Sequence, residues 1–295
     1  MTYHKPVLIN EVLTYLDPKP GKLFLDVTFG GGGHTRALLE ADPTCKVIAL
    51  DWDTVAIDTN APALEEEFGD RFKILWGNLA LLYRIVKKEK IGPFDGILAD
   101  FGTSQFQIHE RDGFSFAKNT PLDMRMSPAH QQLTAAEIVN TYTEADLEKL
   151  FFELGEDPHG RRYARAIVQQ RVKKAIKTTQ DLVDVIELVN PVKAFKGQFK
   201  IHPATKVFQA LRIVVNDELN NIKGFLSAAI ASLKPHGRLV CISFHSLEDR
   251  LVKNFFLQHN QALTILTKKP VTAQPVELEE NPSSRSAKLR VVEKV

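Results

Sequence analysis

The 295-residue sequence predicts a doubly wound α/β domain interrupted by a helical insertion. Three observations carry this. First, short apolar runs at 22–27, 46–50 and 94–99 each end at a glycine-rich or acidic corner, with a weaker run at 72–76. Continuous apolar runs of this length suit strands buried on both faces of a parallel sheet. Second, helix-like segments at 34–41, 54–68 and 79–90 separate them, which is the alternation of a doubly wound sheet. Third, the alternation stops near residue 105 and resumes a hundred residues later.

In that interval, 106–128 reads as loop, with Gly113, Pro121 and Pro128 as its breakers. Helical patterns follow at 134–140, 143–154, 160–177 and 179–189. Residues 205–233 read as one helix or two, 238–243 as a strand and 246–258 as a helix. Two last β-like runs lie at 263–266 and 288–292. The Pro-, Ser- and Glu-rich stretch 269–287 reads as a mobile loop. The expected division is a first part of the α/β domain at 1–108, an all-helical insertion at 109–212, and a second part at 213–295.

Composition narrows the class. The chain is 44% hydrophobic and 25% charged, with a net charge of +2. This is ordinary for a globular protein, and the total charge selects no partner. Cys45 and Cys241 each lie inside an apolar run, as small buried hydrophobes do in a reducing compartment, and no zinc-type Cys/His spacing occurs. The first residues lack the apolar core of a signal peptide, and no apolar stretch is long enough to span a bilayer. A soluble cytoplasmic protein with no metal and no membrane attachment is expected.

The strand–glycine–helix corner indicates a nucleotide-like ligand. Gly30, Gly31, Gly32 and Gly33 leave no Cβ to obstruct a close approach and permit positive φ. Asp51 ends the next strand, where a carboxylate accepts hydrogen bonds from two ribose hydroxyls. A dinucleotide fingerprint needs Gly or Ala three residues after its second glycine. That position holds Arg36 counted from Gly33, or Thr35 counted from Gly32. S-adenosyl-L-methionine has no phosphate, and Asp26 suits its amine, so this cofactor is preferred over a nicotinamide dinucleotide. Asp100 ends the fourth strand, at the edge where open α/β sheets bind ligands.

These residues also carry a resemblance. His4-Lys5-Pro6-Val7-Leu8, the stretch from Asp26 through the four glycines to His34, and Pro121-Leu122-Asp123-Met124-Arg125-Met126 resemble the bacterial ribosomal RNA small-subunit methyltransferase H family. So do Phe208-Gln209-Ala210-Leu211-Arg212, Ser243-Phe244-His245-Ser246-Leu247-Glu248-Asp249-Arg250 and Asn281-Pro282 with Arg285-Ser286. The match spans nearly the whole chain in order. It implies a class I (Rossmann-like) S-adenosylmethionine-dependent methyltransferase fold. It also implies methylation of the N4 amine of a cytidine in the decoding region of small-subunit (16S) ribosomal RNA. The implied cofactor contacts are Gly32, Gly33, His34, Asp51, Leu79, Asp100 and Gln107. Leu79 stands where the family has Phe, and Gln105-Phe106 replace its Ser-Pro.

An exocyclic cytosine amine is a poor nucleophile, because its lone pair is delocalised into the ring. Acceptors on its protons turn the lone pair toward the methyl donor, and alignment of the reactants supplies much of the rate gain. Asp100, Ser104 and His245 are the candidates for this work. His245 has a plain alternative, as a structural histidine at the start of a helix.

The total charge hides an asymmetry. Residues 158–207 hold eleven Lys/Arg against three acids, a local charge of +8 that leaves −6 for the rest. Arg161, Arg165, Lys173 and Lys174 lie on a helical face suited to phosphate contacts. Arg125, with Phe114 and Phe116, is a candidate for stacking on a splayed base; core packing of the two Phe is the alternative. The expected partner is small-subunit ribosomal RNA in the assembled subunit, and a homodimer stays open. Competing readings are a methyltransferase for DNA amines or small molecules, and a cofactor-binding RNA-binding protein without catalysis.

Overall fold

A computed structural model describes residues 6–103, 107–108, 111–128, 130–191 and 202–295. The chain forms two compact units: 1–104 together with 219–295, and 105–218.

The first unit is built on a seven-stranded sheet. Its strands are β1 (Leu23–Asp26), β2 (Lys46–Asp51), β3 (Phe72–Trp76), β4 (Phe94–Asp100), β5 (Leu233–Ser243), β6 (Leu263–Ile265) and β7 (Lys288–Lys294). The spatial order is β3-β2-β1-β4-β5-β7-β6. The first five are mutually parallel, and β7 runs antiparallel between β5 and β6. The order reverses at β1, between β2 and β4, which is where ligands settle in sheets of this kind.

Strand alternation sorts the apolar residues onto two faces. Phe24, Val47, Ala49, Phe72 and Leu98 pack with helices α1 (Ile9–Leu16), α2 (Gly33–Ala41) and α3 (Thr54–Phe68). Leu25, Ile48, Leu50, Ile97, Ala99 and Cys241 face α4 (Leu82–Glu89), α10 (Glu218–Ser232) and α11 (Ser246–Gln258). Both cysteines are buried and unbridged.

The second unit is helical, with α5 (Ala135–Thr141), α6 (Glu144–Glu153), α7 (Gly160–Lys173), α8 (Thr179–Val189) and α9 (Pro203–Val215). Its own core gathers Leu122, Ile138, Phe151, Tyr163, Ile167, Ile186, Phe208 and Leu211. Capping boxes at Thr134/Glu137 and Thr178/Asp181 start α5 and α8 by satisfying orphan N–H groups.

Four expectations change, and for 205–233 the two-helix alternative holds. Helix α1 is an addition to the expected elements; its eight residues are too few to give a strong periodic pattern. The segment expected as a helix at 79–90 opens with a 3₁₀ turn, Leu79–Leu81, capped by Asn78. Helix α7 stops at Lys173 rather than 177, because Lys174 is extended and the Ile176 N–H donates to Asn140 Oδ1 at 3.1 Å. The stretch 205–233 contains two helices and the start of β5, with the break between the helices at Asp217, whose φ is +49°. The stretch 269–287 is not a simple loop. It contains helix α12 (Pro275–Glu280) and a 3₁₀ turn, Pro282–Ser286, and Val271 pairs with Leu289.

Candidate cofactor and catalytic site

The corner after β1 is organised by Asp26, which is 1% exposed. Its Oδ2 accepts from Thr35 Oγ1 at 2.8 Å and its Oδ1 from the Thr28 N–H at 3.1 Å. Burial pushes this carboxyl above its ordinary value, opposed by nearby His34 and by the Thr35 hydroxyl. The carboxylate expected to meet the cofactor amine thus ties β1 to the first turn of α2. Thr28 extends this network: its Oγ1 accepts from the Asp100 N–H at 2.7 Å.

The glycines divide by task. Gly30 has φ +51°, and a Cβ there would meet only Thr28 O, at 3.9 Å. Gly32 has φ +74° and caps α2, and a Cβ on it would press the Phe29 ring at 3.0 Å. At Gly33 an added Cβ would strike the Pro6 ring at 2.9 Å. Gly30 therefore borders open space, while Gly32 and Gly33 are required by the protein's own packing.

Asp51 closes β2. Its Oδ2 accepts from the Gly30 N–H at 2.8 Å and its Oδ1 from the Asp53 N–H at 2.9 Å. A carboxylate offers about four lone-pair sites, so acceptor capacity remains on both oxygens. Burial nevertheless pushes the Asp51 carboxyl up to about 6, against those two N–H donors.

Asp100 closes β4 and lies beside His34, the second residue of α2. His34 Nε2 is 3.6 Å from Asp100 Oδ2, too far for a hydrogen bond. Among the described residues, both His34 ring nitrogens and Asp100 Oδ1 are buried with no hydrogen-bond partner. A buried polar atom left so costs about 1–3 kcal/mol. Three such atoms beside a glycine corner at the reversal of strand order fit a polar ligand that satisfies them.

Leu79 opens its 3₁₀ turn and is half-buried against the sheet face that holds Leu50 and Ile97. His245 follows β5 and caps α11. The buried Glu248 accepts from the Phe244 and His245 N–H groups at 2.8 and 3.3 Å, and its other oxygen lies 3.2 Å from His245 Nε2. The ring of His245 is thus turned to the first turn of its own helix. Ser104 lies outside the described residues.

In the second unit Gln107 is buried, and its carbonyl accepts from the Arg111 N–H at 3.1 Å. Arg125 is spent on the fold. Its Nε and one terminal nitrogen donate to the two Asp123 oxygens, each at 2.8 Å, and the other nitrogen donates to the Gln131 carbonyl at 3.2 Å. Phe116 packs edge-on against Phe208 at 5.1 Å, the core alternative of the sequence reading. The basic run also divides. Arg162 and Arg171 donate to the Val189 and Val139 carbonyls. The ammonium of Lys174 binds Asp181 at 2.8 Å and, despite partial burial, holds that carboxyl at about 2. Arg161 and Lys173 are exposed, and Arg165 is exposed within 3.6 Å of Glu144. Lys193, Lys196 and Lys200 lie outside the described residues.

Sequence reasoning missed Thr28, Thr35 and Glu248. The first two were legible as hydroxyls two and nine residues after Asp26. Glu248 stood three residues after His245, the spacing of a capping box.

All 295 residues match the MraW methylase family. The chain belongs to that family. It is 42% identical over 311 aligned positions to "Ribosomal RNA small subunit methyltransferase H" of Carboxydothermus hydrogenoformans, covering 99% of this chain and 98% of the relative. It is 47% identical to the Nostoc protein of the same name, covering 99% and 92%. Among solved structures, an rRNA methylase from Streptococcus thermophilus aligns over 97% of this chain and 95% of its own, at 10% identity and a TM-score of 0.45.

The MraW methylases are S-adenosylmethionine-dependent enzymes, and this chain is a methyltransferase that uses that cofactor. Its residues fit the group. Acceptor capacity at Asp51 suits hydroxyls, the glycine corner is open at Gly30, and the unsatisfied ring nitrogens of His34 call for polar partners. Among the described residues, no helix is long and apolar enough to cross a membrane.

Proposed function

We propose that this methyltransferase modifies the N4 amine of a cytidine in the decoding region of small-subunit ribosomal RNA, in the cytoplasm and on the assembled subunit. The observation that supports this best is the unsatisfied, buried Asp100 Oδ1 at the end of β4, beside the cofactor corner. An amine substrate needs a buried acceptor there; a substrate without N–H groups does not.

S-adenosylmethionine supplies an electrophilic methyl group. Asp51 would hold the cofactor's ribose hydroxyls, with Gly32, Gly33, His34 and Leu79 completing the part of the cofactor site that lies in the α/β unit. Asp100 accepts a hydrogen bond from the target amine, which turns the nitrogen lone pair out of conjugation. Ser104 is the further acceptor, and His245, its ring held by Glu248, orients the end of β5. No strong base is required, because the amine nitrogen becomes acidic as the new bond forms. Fixed alignment of the two reactants supplies on the order of 7–11 kcal/mol in favourable cases.

The helical unit recognises the RNA. Arg161, Arg165 and Lys173 meet phosphates, Lys174 stays with Asp181 at the start of α8, and Arg125 positions the loop that it braces through Asp123. The enzyme works as a monomer or as a homodimer, and the chemistry above is the same in both.

The test is incubation of the purified protein with labelled S-adenosylmethionine and small subunits from a strain that lacks the gene, followed by digestion to nucleosides. N4-methylcytidine at one site is the expected product. Label in another nucleoside, or none despite cofactor binding, overturns the assignment.

A further inference from the structure

The start of α1 is built in an unusual way. Leu8, fully buried, occupies its N-cap position with φ +54°. Leucine rarely adopts this left-handed conformation, and a single such outlier marks a place where the surroundings over-determine the backbone. Here the surroundings come from the far end of the chain. The Leu8 N–H donates to Glu277 Oε1 at 2.7 Å, across 269 residues. An anion at a helix N-terminus is also favoured by the helix dipole.

Glu277 is held firmly. It lies in α12, and its carbonyl accepts from the Asn281 N–H at 2.7 Å. The segment before it is pinned by two backbone hydrogen bonds between Val271 and Leu289, at 2.9 and 2.8 Å. Val271 and Ala273 pack on the core face that also buries Val7, Leu8, Leu38 and Leu39.

What Glu277 holds is the chain that touches the glycine corner. Pro6, two residues before Leu8, lies so close to Gly33 that a Cβ there would fall 2.9, 3.0 and 3.3 Å from Pro6 Cγ, Cδ and Cβ. Gly33 opens α2, and His34, with its unsatisfied ring beside Asp100, comes next.

We infer that Glu277 is a positioning residue for the cofactor: through the Leu8 N–H it presses Pro6 against Gly33 and so sets the first turn of α2 on which His34 is carried. Glu277 touches no reacting atom. The inference rests on the cofactor assignment above and not on the RNA target.

The experiment is calorimetric titration of the wild type, Glu277→Ala and Glu277→Gln with S-adenosylhomocysteine, with amide exchange at Leu8 followed in the wild type. Glu277→Ala weakens binding about tenfold, a typical coupling strength, and raises KM for S-adenosylmethionine while kcat stays within about twofold. Glu277→Gln keeps an acceptor oxygen in place and restores affinity. Because coupling is reciprocal, the ligand slows Leu8 amide exchange in the wild type, a readout that needs no variant to fold. Wild-type affinity in Glu277→Ala, or Leu8 exchange indifferent to the ligand, overturns the latch. A wild-type chain that binds no cofactor overturns the latch together with the cofactor assignment. Normal cofactor binding without RNA methylation strikes only the RNA target.

Discussion

The two units use charge in opposite ways. In the α/β unit the acids at strand ends are turned inward, Asp26 fully buried and Asp51 and Asp100 partly so. Asp26 and Asp51 are held by donors from their own corner, and Asp100 keeps one oxygen without a partner among the described residues. In the helical unit the prominent charges lie at the surface or are consumed by caps and ion pairs. Asp181, Asp123 and the guanidiniums of Arg125, Arg162 and Arg171 all serve the fold. The first arrangement waits for a small polar ligand, because a buried unsatisfied atom is costly until a partner arrives. The second leaves a sparse outward set, suited to a large polyanion that brings its own solvated charge.

Asp100→Ala tests the buried half of this contrast most strongly. Removal of an acceptor aimed at the reacting amine lowers the single-turnover methylation rate by on the order of 10²–10³, the scale of removing one preorganised polar group. The fold survives, because Oδ1 makes no hydrogen bond with the described residues. Retained turnover in a folded variant breaks the assignment.

The surface half is tested by replacing Arg161, Arg165 and Lys173 together with alanine. RNA affinity falls by on the order of 10² at moderate salt, and the slope of log K against log salt drops by roughly one for each phosphate that is no longer neutralised. Cofactor affinity and melting temperature hold. An unchanged salt slope would show that the outward charges do not meet the backbone.

Arg125→Ala separates the two uses of charge within the helical unit. Without the two charge-assisted bonds to Asp123, unfolding free energy drops by about 2 kcal/mol. Denaturant titration reads this directly. A variant as stable as the wild type shows that the pair does little for the fold.

The smallest effect is the pH dependence at Asp51. Its carboxyl is raised to about 6 by burial, and the ionised form is the better acceptor for ribose hydroxyls. Cofactor affinity is therefore full above that pH and declines as pH falls through it, by up to about tenfold per unit. The unliganded fold behaves in the opposite sense. A carboxyl raised in the folded state favours folding below its ordinary value, and that contribution is lost as pH rises through about 6. Asp51→Asn flattens the affinity profile at a weaker level. A sloping profile in that variant moves the titration to another group.

Much of the fold was legible because its elements are local. Each of the runs at 22–27, 46–50, 72–76 and 94–99 became a strand, since apolar residues on both faces need cover on both sides. What was hard to read was short or capped from a distance. Helix α1 starts at a carboxylate 269 residues away, and α12 sits among residues that signal loops. The candidate site shows the same division. Asp51 and Asp100 were visible as acids that end apolar runs. Glu248 and Thr35 were overlooked although their partners lie within nine residues, because each role depends on where its helix starts. For the basic run, composition counted charges without showing which were already spent.

By itself, then, the sequence determined the alternation of strands and helices, the glycine corner, the acids at the strand ends and the excess of positive charge near the middle of the chain. Each follows from covalent order and side-chain polarity, which do not depend on where distant residues lie. Only the tertiary structure decided that His34 stands beside Asp100 without a hydrogen bond, that Arg125 is locked to Asp123, and that Glu277 holds Leu8 so that Pro6 meets Gly33. The state of a polar atom depends on what lies within about 3 Å of it, and packing, not sequence separation, sets that distance.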